Sequence, residues 1–521
     1  MLVGQILFLL IIATVLAVLC ALLIARLYRV SMKRLMQAPI TQTANEVSAC
    51  SAANHERTET PASLTLTDNQ HAYRRLLVSF LILTLVMAIT RTVIMQLISH
   101  APITVKTVAT LGIAYAWPVL PVLAVIGRWS RWRFVGAMFA WFWLAVLMLV
   151  WRTNENVTTA MILKWMVVDV GLPLVVVTAL GLGGATRAVG PWLAPLLMLF
   201  SASSMLGMEM LTAMVNAQSP IVFWMFGWLS VNGVMALFAL LPWLLVWWPA
   251  RAIGRWLARA YRERRVSELF YLFTAVWVIA LIGPALGASF DIGWGALVCF
   301  TPLLWIPLAA RLMQRFRTAT PAGHPPTLLV LRVFQQDTNV QDLFDRVIER
   351  WRLTGNTVLI AGTDLLERTI DAEDIFTFID GRLGERFIQS PADIPRRLAD
   401  FEWQPDVEGR FRVNECYCHD TTWQHALAEL IHISDVVLMD LRNFVEQNKG
   451  CLHELQVLAS TPGLRHVVVL VNDQTQLIPA QAAVAHAPDG RFVWLKQLGD
   501  TPLTTTEVLA ALFANAPITT H

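Results

Sequence analysis

Nine stretches of about 20 apolar residues fill the first three-fifths of the chain. They run over 4–26, 76–99, 107–127, 134–151, 160–183, 188–216, 221–248, 268–289 and 292–313. A helix of that length and character spans the hydrocarbon core of a bilayer. The pattern therefore predicts nine transmembrane helices. Polar segments after the first, third, fifth, seventh and ninth runs carry arginine, from Arg26 and Arg29 to Arg311 and Arg315. The alternate segments are poor in basic charge, with only Lys106 and Arg152 near them. The positive-inside rule then puts the N-terminus outside and residues 314–521 in the cytosol. No Lys or Arg precedes the first run, which is too long for the core of a signal peptide, so it reads as a span.

After Pro321, Pro325 and Pro326 the periodicity changes. Short apolar runs at 327–334, 357–362, 436–441, 466–471 and 492–496 read as strands. Helical patterns at 340–353, 423–434, 451–460, 474–486 and 503–515 lie between or after them. Such alternation predicts a parallel sheet covered on both faces, and the strands do not alternate because both of their faces are buried. Residues 363–418 are irregular, with a helix expected at 371–380 and a hairpin across Pro405–Gly409. The expected organisation is a first span (1–29), a polar linker (30–75), an eight-helix bundle (76–313), a hinge (314–326) and a cytosolic α/β domain (327–521). The fold class is thus an α-helical polytopic membrane domain plus an α/β domain with a parallel, flavodoxin-like sheet.

Composition supports that division. The chain is 56% hydrophobic and 15% charged, whereas soluble domains carry about 25% charge. The net charge of +3 hides two halves: 1–319 is +14 and 320–521 is −11. An acidic cytosolic half is a poor nucleic-acid binder. Arg251, Arg255, Arg259 and Arg262 share one helical face. They are expected to meet anionic headgroups or to dock the acidic domain in a salt-sensitive contact.

Four ionisable residues fall inside spans: Arg91, Lys164, Asp169 and Glu209. Charge at that depth is costly and marks either a site or a structural ion pair. By position all four belong to one polar layer in the outer half of the membrane. In the α/β domain the ligand crevice should lie beyond the C-terminal strand ends. Gln336, Asp337, Thr363, Asp364, Asp440, Arg442 and Asn443 occupy that rim. Gly450 opens the next helix, and Glu454 is expected in its first turn, facing the crevice. Cys416, Cys418, His419, Cys451 and His453 are soft donors, but their spacing is not that of a zinc site, and no metal is expected. No phosphate-binding P-loop, H-E-x-x-H or G-x-S-x-G motif occurs.

The segment HALAELIHISDVVLMDLRNFVEQNKGCLHELQVL resembles the central part of TIR domains. There a Cys-x-x-Glu-Leu helix carries the catalytic acid of NAD-cleaving members; here it is Cys451-x-x-Glu454-Leu455. Asp440, Gly450 and Glu454 also resemble the pattern of nucleoside 2-deoxyribosyltransferases. Both resemblances imply cleavage of an N-glycosidic bond, with Glu454 stabilising an oxocarbenium-like centre and NAD or a nucleotide as substrate rather than cofactor. The leading expectation is a bacterial inner-membrane protein whose TIR-like domain either cleaves such a bond or signals by self-association, in defence or stress. The alternatives are a non-catalytic receptor or scaffold that binds a nucleotide or protein, and a transporter with a regulatory domain.

Overall fold

The computed structural model describes residues 2–37, 60–152, 158–181, 184–315, 323–332, 338–361, 377–378, 381, 383–419, 422–497 and 503–514. The first part is helical. Helix α1 (Leu2–Gln37) runs past the expected end of the first span, and α2 (Leu66–Ile98) begins ten residues before its apolar core. Thr65 caps α2 by accepting from the Asp68 amide, while Asp68 accepts in return from the Thr65 amide. There follow α3 (Val105–Tyr115), α4 (Val119–Ile126), α5 (Arg131–Arg152), α6 (Thr159–Met166), α7 (Leu172–Gly181), α8 (Gly184–Asn216), α9 (Pro220–Arg262), α10 (Glu268–Ile292) and α11 (Trp305–Arg315).

Seven helical stretches are long and apolar enough to cross a membrane, and the bent pair α3–α4 makes an eighth candidate among the described residues. Pro118 follows the α3 cap, and the pair turns by 47° there. The expected fifth span is α6 and α7 joined through a π-helical turn, Val167–Gly171. The expected ninth begins as a 3-10 helix, Gly293–Leu304, before α11.

The α/β domain is one seven-stranded parallel sheet. Its strands are β1 (Thr327–Arg332), β2 (Asn356–Ala361), β3 (Phe387–Ile388), β4 (Val413–Cys418), β5 (Val436–Asp440), β6 (His466–Val471) and β7 (Phe492–Lys496). Their spatial order is β3-β4-β2-β1-β5-β6-β7. Without β3 and β4, which come from the irregular segment, the order is the flavodoxin-like 2-1-3-4-5. Strands β5 and β6 are buried at every position, which explains their unbroken apolar sequences. The helices are α12 (Thr338–Trp351), α13 (Ile394–Ala399), α14 (Trp423–His432), α15 (Lys449–Ser460), α16 (Leu477–Ala483) and α17 (Thr505–Phe513). Pro405–Gly409 forms a tight turn, with the Asp406 amide donating to the Arg410 carbonyl at 2.8 Å. The expected helix at 371–380 lies almost wholly outside the described residues.

The two halves are clamped together. Glu349 of α12 receives Arg352 at 2.9 Å, Arg410 at 2.8 Å and Arg128, from the α4–α5 turn, at 3.1 Å. Arg410 also binds Glu268, the first residue of α10, at 2.9 Å. Arg412 donates to the Tyr261 carbonyl at 2.8 Å and stacks over the Tyr261 ring. On α2, Asn69 donates to the Arg350 carbonyl, and Arg350 lies over the Tyr73 ring. Burial would raise the Glu349 pKa, but Arg352, Arg410 and Arg128 hold it far below the usual carboxylate range. Glu408, fully buried beside Arg410, is pushed up to about 7 by burial and by Asp406.

Arg251, Arg255, Arg259 and Arg262 are exposed, which leaves their face open to anionic headgroups, while the domain contact described above uses Arg128, Tyr261, Arg264 and Glu268. The acidic domain itself supplies the key arginines, so its net charge does not describe its docking surface.

Removing Arg410 takes one of three guanidiniums from Glu349 and the 2.9 Å partner from Glu268. Arg410→Ala should destabilise the docked state by about 3–5 kcal/mol, as for other broken buried pairs. Protease cleavage in the hinge 314–326 should quicken in this variant. In the wild type 1 M salt should leave cleavage nearly unchanged, because buried pairs are weakly screened.

Candidate functional site

In the sheet, β2 lies on one side of β1 and β5 on the other, so the strand order reverses between β1 and β5. In doubly wound sheets such a switch point is where the ligand crevice is expected, beyond the C-terminal strand ends. Arg332, the last residue of β1, is in register with Asp440, the last of β5. Four expected rim residues, Gln336, Asp337, Thr363 and Asp364, lie outside the described residues.

The residues after β5 are described, and their polar groups are largely committed to each other. Arg442 grips Asp440 with two donors, Nε to Oδ1 at 2.9 Å and Nη2 to Oδ2 at 2.8 Å. The Arg442 amide adds a third bond to Asp440 at 3.0 Å. Asp440 therefore braces its own loop. Asn443 sits in the left-handed region at φ 59°, where Asn is among the better-tolerated residues. Its amide and side chain both bond Asn472, at the end of β6, and Thr475 donates to the same Asn472. Gln497, after β7, is 3.5 Å from Arg442. Asn472, Thr475 and Gln497 extend the polar edge beyond what the sequence pattern suggested. Asn472 and Gln497 are the first residues after the apolar strands β6 and β7, which is the signal that locates them.

Glu454 differs from the expectation. Helix α15 begins at Lys449, with Gly450 exposed in its first turn, so Glu454 falls in the second turn. It shares a helical face with Cys451, Leu455 and Leu458, which pack onto the sheet. Its relative exposure is 7%, and its Oε2 has no hydrogen-bond partner. Burial alone pushes its pKa up to about 8. The carboxyl is thus neutral at pH 7 and enclosed, rather than ionised and open to the crevice. The packing of Cys451, Leu455 and Leu458 onto the sheet fixes the rotation of α15 and carries Glu454 inward with them. Burial, then Glu454, pushes the Cys451 thiol up to about 12, and Trp423 lies edge-on to His453.

Cys416 and Cys418 are on β4 and Cys451 on α15, and burial raises all three thiols. Protonated thiols are poor metal ligands. Among the described residues no three His, Cys, Asp or Glu side chains come together as a metal site.

The membrane polar layer forms in part. Arg91 and Asp169 pair at 2.9 Å, and the Arg91 guanidinium lies 3.8 Å from the centre of the Tyr115 ring. Glu209, on α8, is exposed. The Lys164 backbone is in α6, and its side chain lies outside what the structure describes.

The raised pKa of Glu454 has a thermodynamic sign. The folded chain keeps the proton from about pH 4.5 to about 8 while the unfolded chain releases it, so its contribution to stability is full below 4.5 and falls as pH rises through that window. The full effect is on the order of 4 kcal/mol. Glu454→Gln should therefore raise the melting temperature of the full chain at pH 8.5 and leave it nearly unchanged at pH 4.5. Thermal denaturation at the two pH values measures this directly.

No family model, curated protein or solved structure matches the chain.

Proposed function

We propose that this is a multi-pass membrane protein whose TIR-like cytosolic domain binds a nucleotide, NAD being the leading candidate, and cleaves its N-glycosidic bond in a signalling role. The observation that carries the reading is the enclosed, partnerless carboxyl of Glu454 behind the switch point of a 2-1-3-4-5 sheet. A buried acid with no structural partner costs stability, and such groups concentrate at functional sites.

The chemistry is consistent with that carboxyl. A cationic nicotinamide–ribose group entering beside Glu454 would favour its ionised form. The C1′–N bond then breaks, both electrons leave with neutral nicotinamide, and the carboxylate stabilises the oxocarbenium-like C1′. Water adds to C1′ and gives its proton to Glu454. A pKa near 8 suits that acceptor role at neutral pH. The enclosed acid makes the described structure the resting form, and opening of α15 against the sheet precedes turnover.

A second reading is a receptor or scaffold without turnover. It is favoured by the Asp440–Arg442 brace, which engages both oxygens of Asp440 in holding its own loop.

Two measurements test these proposals. Full-length protein incubated with NAD and with nucleosides should release free base. Glu454→Gln should lower that turnover by at least a hundredfold while the protein stays folded, and Glu446→Gln, at an exposed loop position, should be nearly silent. Absence of base release in the wild type, even when forced to oligomerise, leaves the receptor reading. Reporter fusions at residues 218 and 320 should read external and cytosolic respectively, as expected for a bacterial inner-membrane protein with its N-terminus outside. Equal readings at both positions would reject that orientation.

A further inference from the structure

Three departures from regular helix meet around one side chain in the membrane half. The α3–α4 break follows Tyr115, the π turn Val167–Gly171 contains Asp169, and the 3-10 helix Gly293–Leu304 contains Cys299. Arg91 of α2 pairs with Asp169, stacks on Tyr115 and lies within electrostatic reach of Cys299. A 3-10 stretch of 12 residues is far beyond the usual three or four, and π turns gather at functional sites. Irregular backbone at membrane depth is tolerated where protein buries it or where it lines a polar cavity.

The pair at the centre is joined by one contact, and the Tyr115 hydroxyl shares Asp169. Arg91 is 2% exposed, and Asp169 binds it through one oxygen and one nitrogen. Nε and Nη1 of Arg91 and Oδ2 of Asp169 have no hydrogen-bond partner. Arg442 and Asp440 in the same chain close a two-bond fork, whereas Arg91 and Asp169 share a single bond. Leaving buried donors and a carboxylate oxygen unmade costs several kcal/mol in an apolar surround. The neighbouring helix α10 packs against the π turn, and Cβ atoms built on its Gly283 and Gly287 would meet nothing within 4 Å. There is open space beside that helix.

We propose that Arg91 and Asp169 form the binding site for a small zwitterion of the α-amino-acid type, reached from the membrane face remote from the α/β domain. The ligand's carboxylate satisfies the Arg91 donors, and its ammonium satisfies Asp169 Oδ2. An anion alone would face the free carboxylate oxygen, and a cation alone would face the guanidinium, so each half-ligand is disfavoured. The remote side follows from α2. Its N-terminal end holds the domain through Asn69 and Tyr73, and Arg91 lies near the other end. Arg152 acts on Tyr115 from the end of α5, and Lys106 stacks over Trp151 at the start of α3. These two cations flank the approach and draw in the carboxylate end first. The proposal is independent of the reading of Glu454, since the two sites lie in different halves of the chain.

The test is thermal stability of the full-length protein in detergent with single amino acids at millimolar concentration. Acetate and methylammonium, separately and mixed, serve as half-ligand probes. At least one zwitterion should raise the melting temperature of the wild type by several degrees, while the half-ligands do not. Arg91→Lys keeps the charge but loses the planar donors, and Asp169→Asn keeps the shape but loses the charge. Each should weaken binding at least tenfold. If Arg91→Lys does not fold, Asp169→Asn carries the test. Failure of every amino acid to stabilise the wild type, stabilisation by acetate alone, or unchanged affinity in Asp169→Asn each overturns the proposal.

Discussion

Glu349 is the residue on which the joined architecture depends. Its carboxylate lies out of water between two guanidiniums of its own domain, Arg352 and Arg410, and a third from the helical half, Arg128. Such a charge is tolerable only while those partners stay in place. Arg410 extends the same network to Glu268, so the first residue of α10 and the last turn of α12 are fixed by one guanidinium. Separation of the halves would leave several charges buried or newly solvated at once. Docking is therefore cooperative, in contrast to a set of independent surface pairs, each worth little.

The helical and parallel-sheet organisation is legible in the sequence because it rests on periodicity. Apolar runs of span length and strand–helix alternation are local signals, and β5 and β6 appear as unbroken apolar segments because both of their faces are covered. Strands β3 and β4 are harder to see. Their sequences, Phe387–Ile388 and Val413–Cys418, are short or mixed, and the sheet edge they extend is set by tertiary contact with β2. Charge patterning misled for a related reason. A sum over 200 residues gives an acidic domain, but docking is decided by Arg350, Arg352, Arg410 and Arg412, which fold onto one surface.

The candidate site was legible as a location and less so as a state. Motif spacing places Glu454 behind β5, but facing depends on the helix phase, which the packing of Cys451, Leu455 and Leu458 decides. Asn448 is the residue before that helix, and its side chain accepts from the Val445 amide instead of capping it. That local choice is invisible to a periodicity argument. In the membrane half, the pairing of Arg91 with Asp169 follows from their comparable depth, whereas exposed Glu209 shows that equal depth does not imply equal facing.

Gly323 sits at φ 114°, and a Cβ there would come within 2.3 Å of the Thr60 carbonyl oxygen. The close approach lets the Ala62 amide donate to the His324 carbonyl at 2.8 Å, and His324 in turn holds Asp435 at the foot of β5. Residues on either side of the helical bundle are thereby tied at a common neck. A force on the α/β domain would therefore meet the Ala62–His324 hydrogen bond in shear, and through His324 and Asp435 it would reach the base of the central strands.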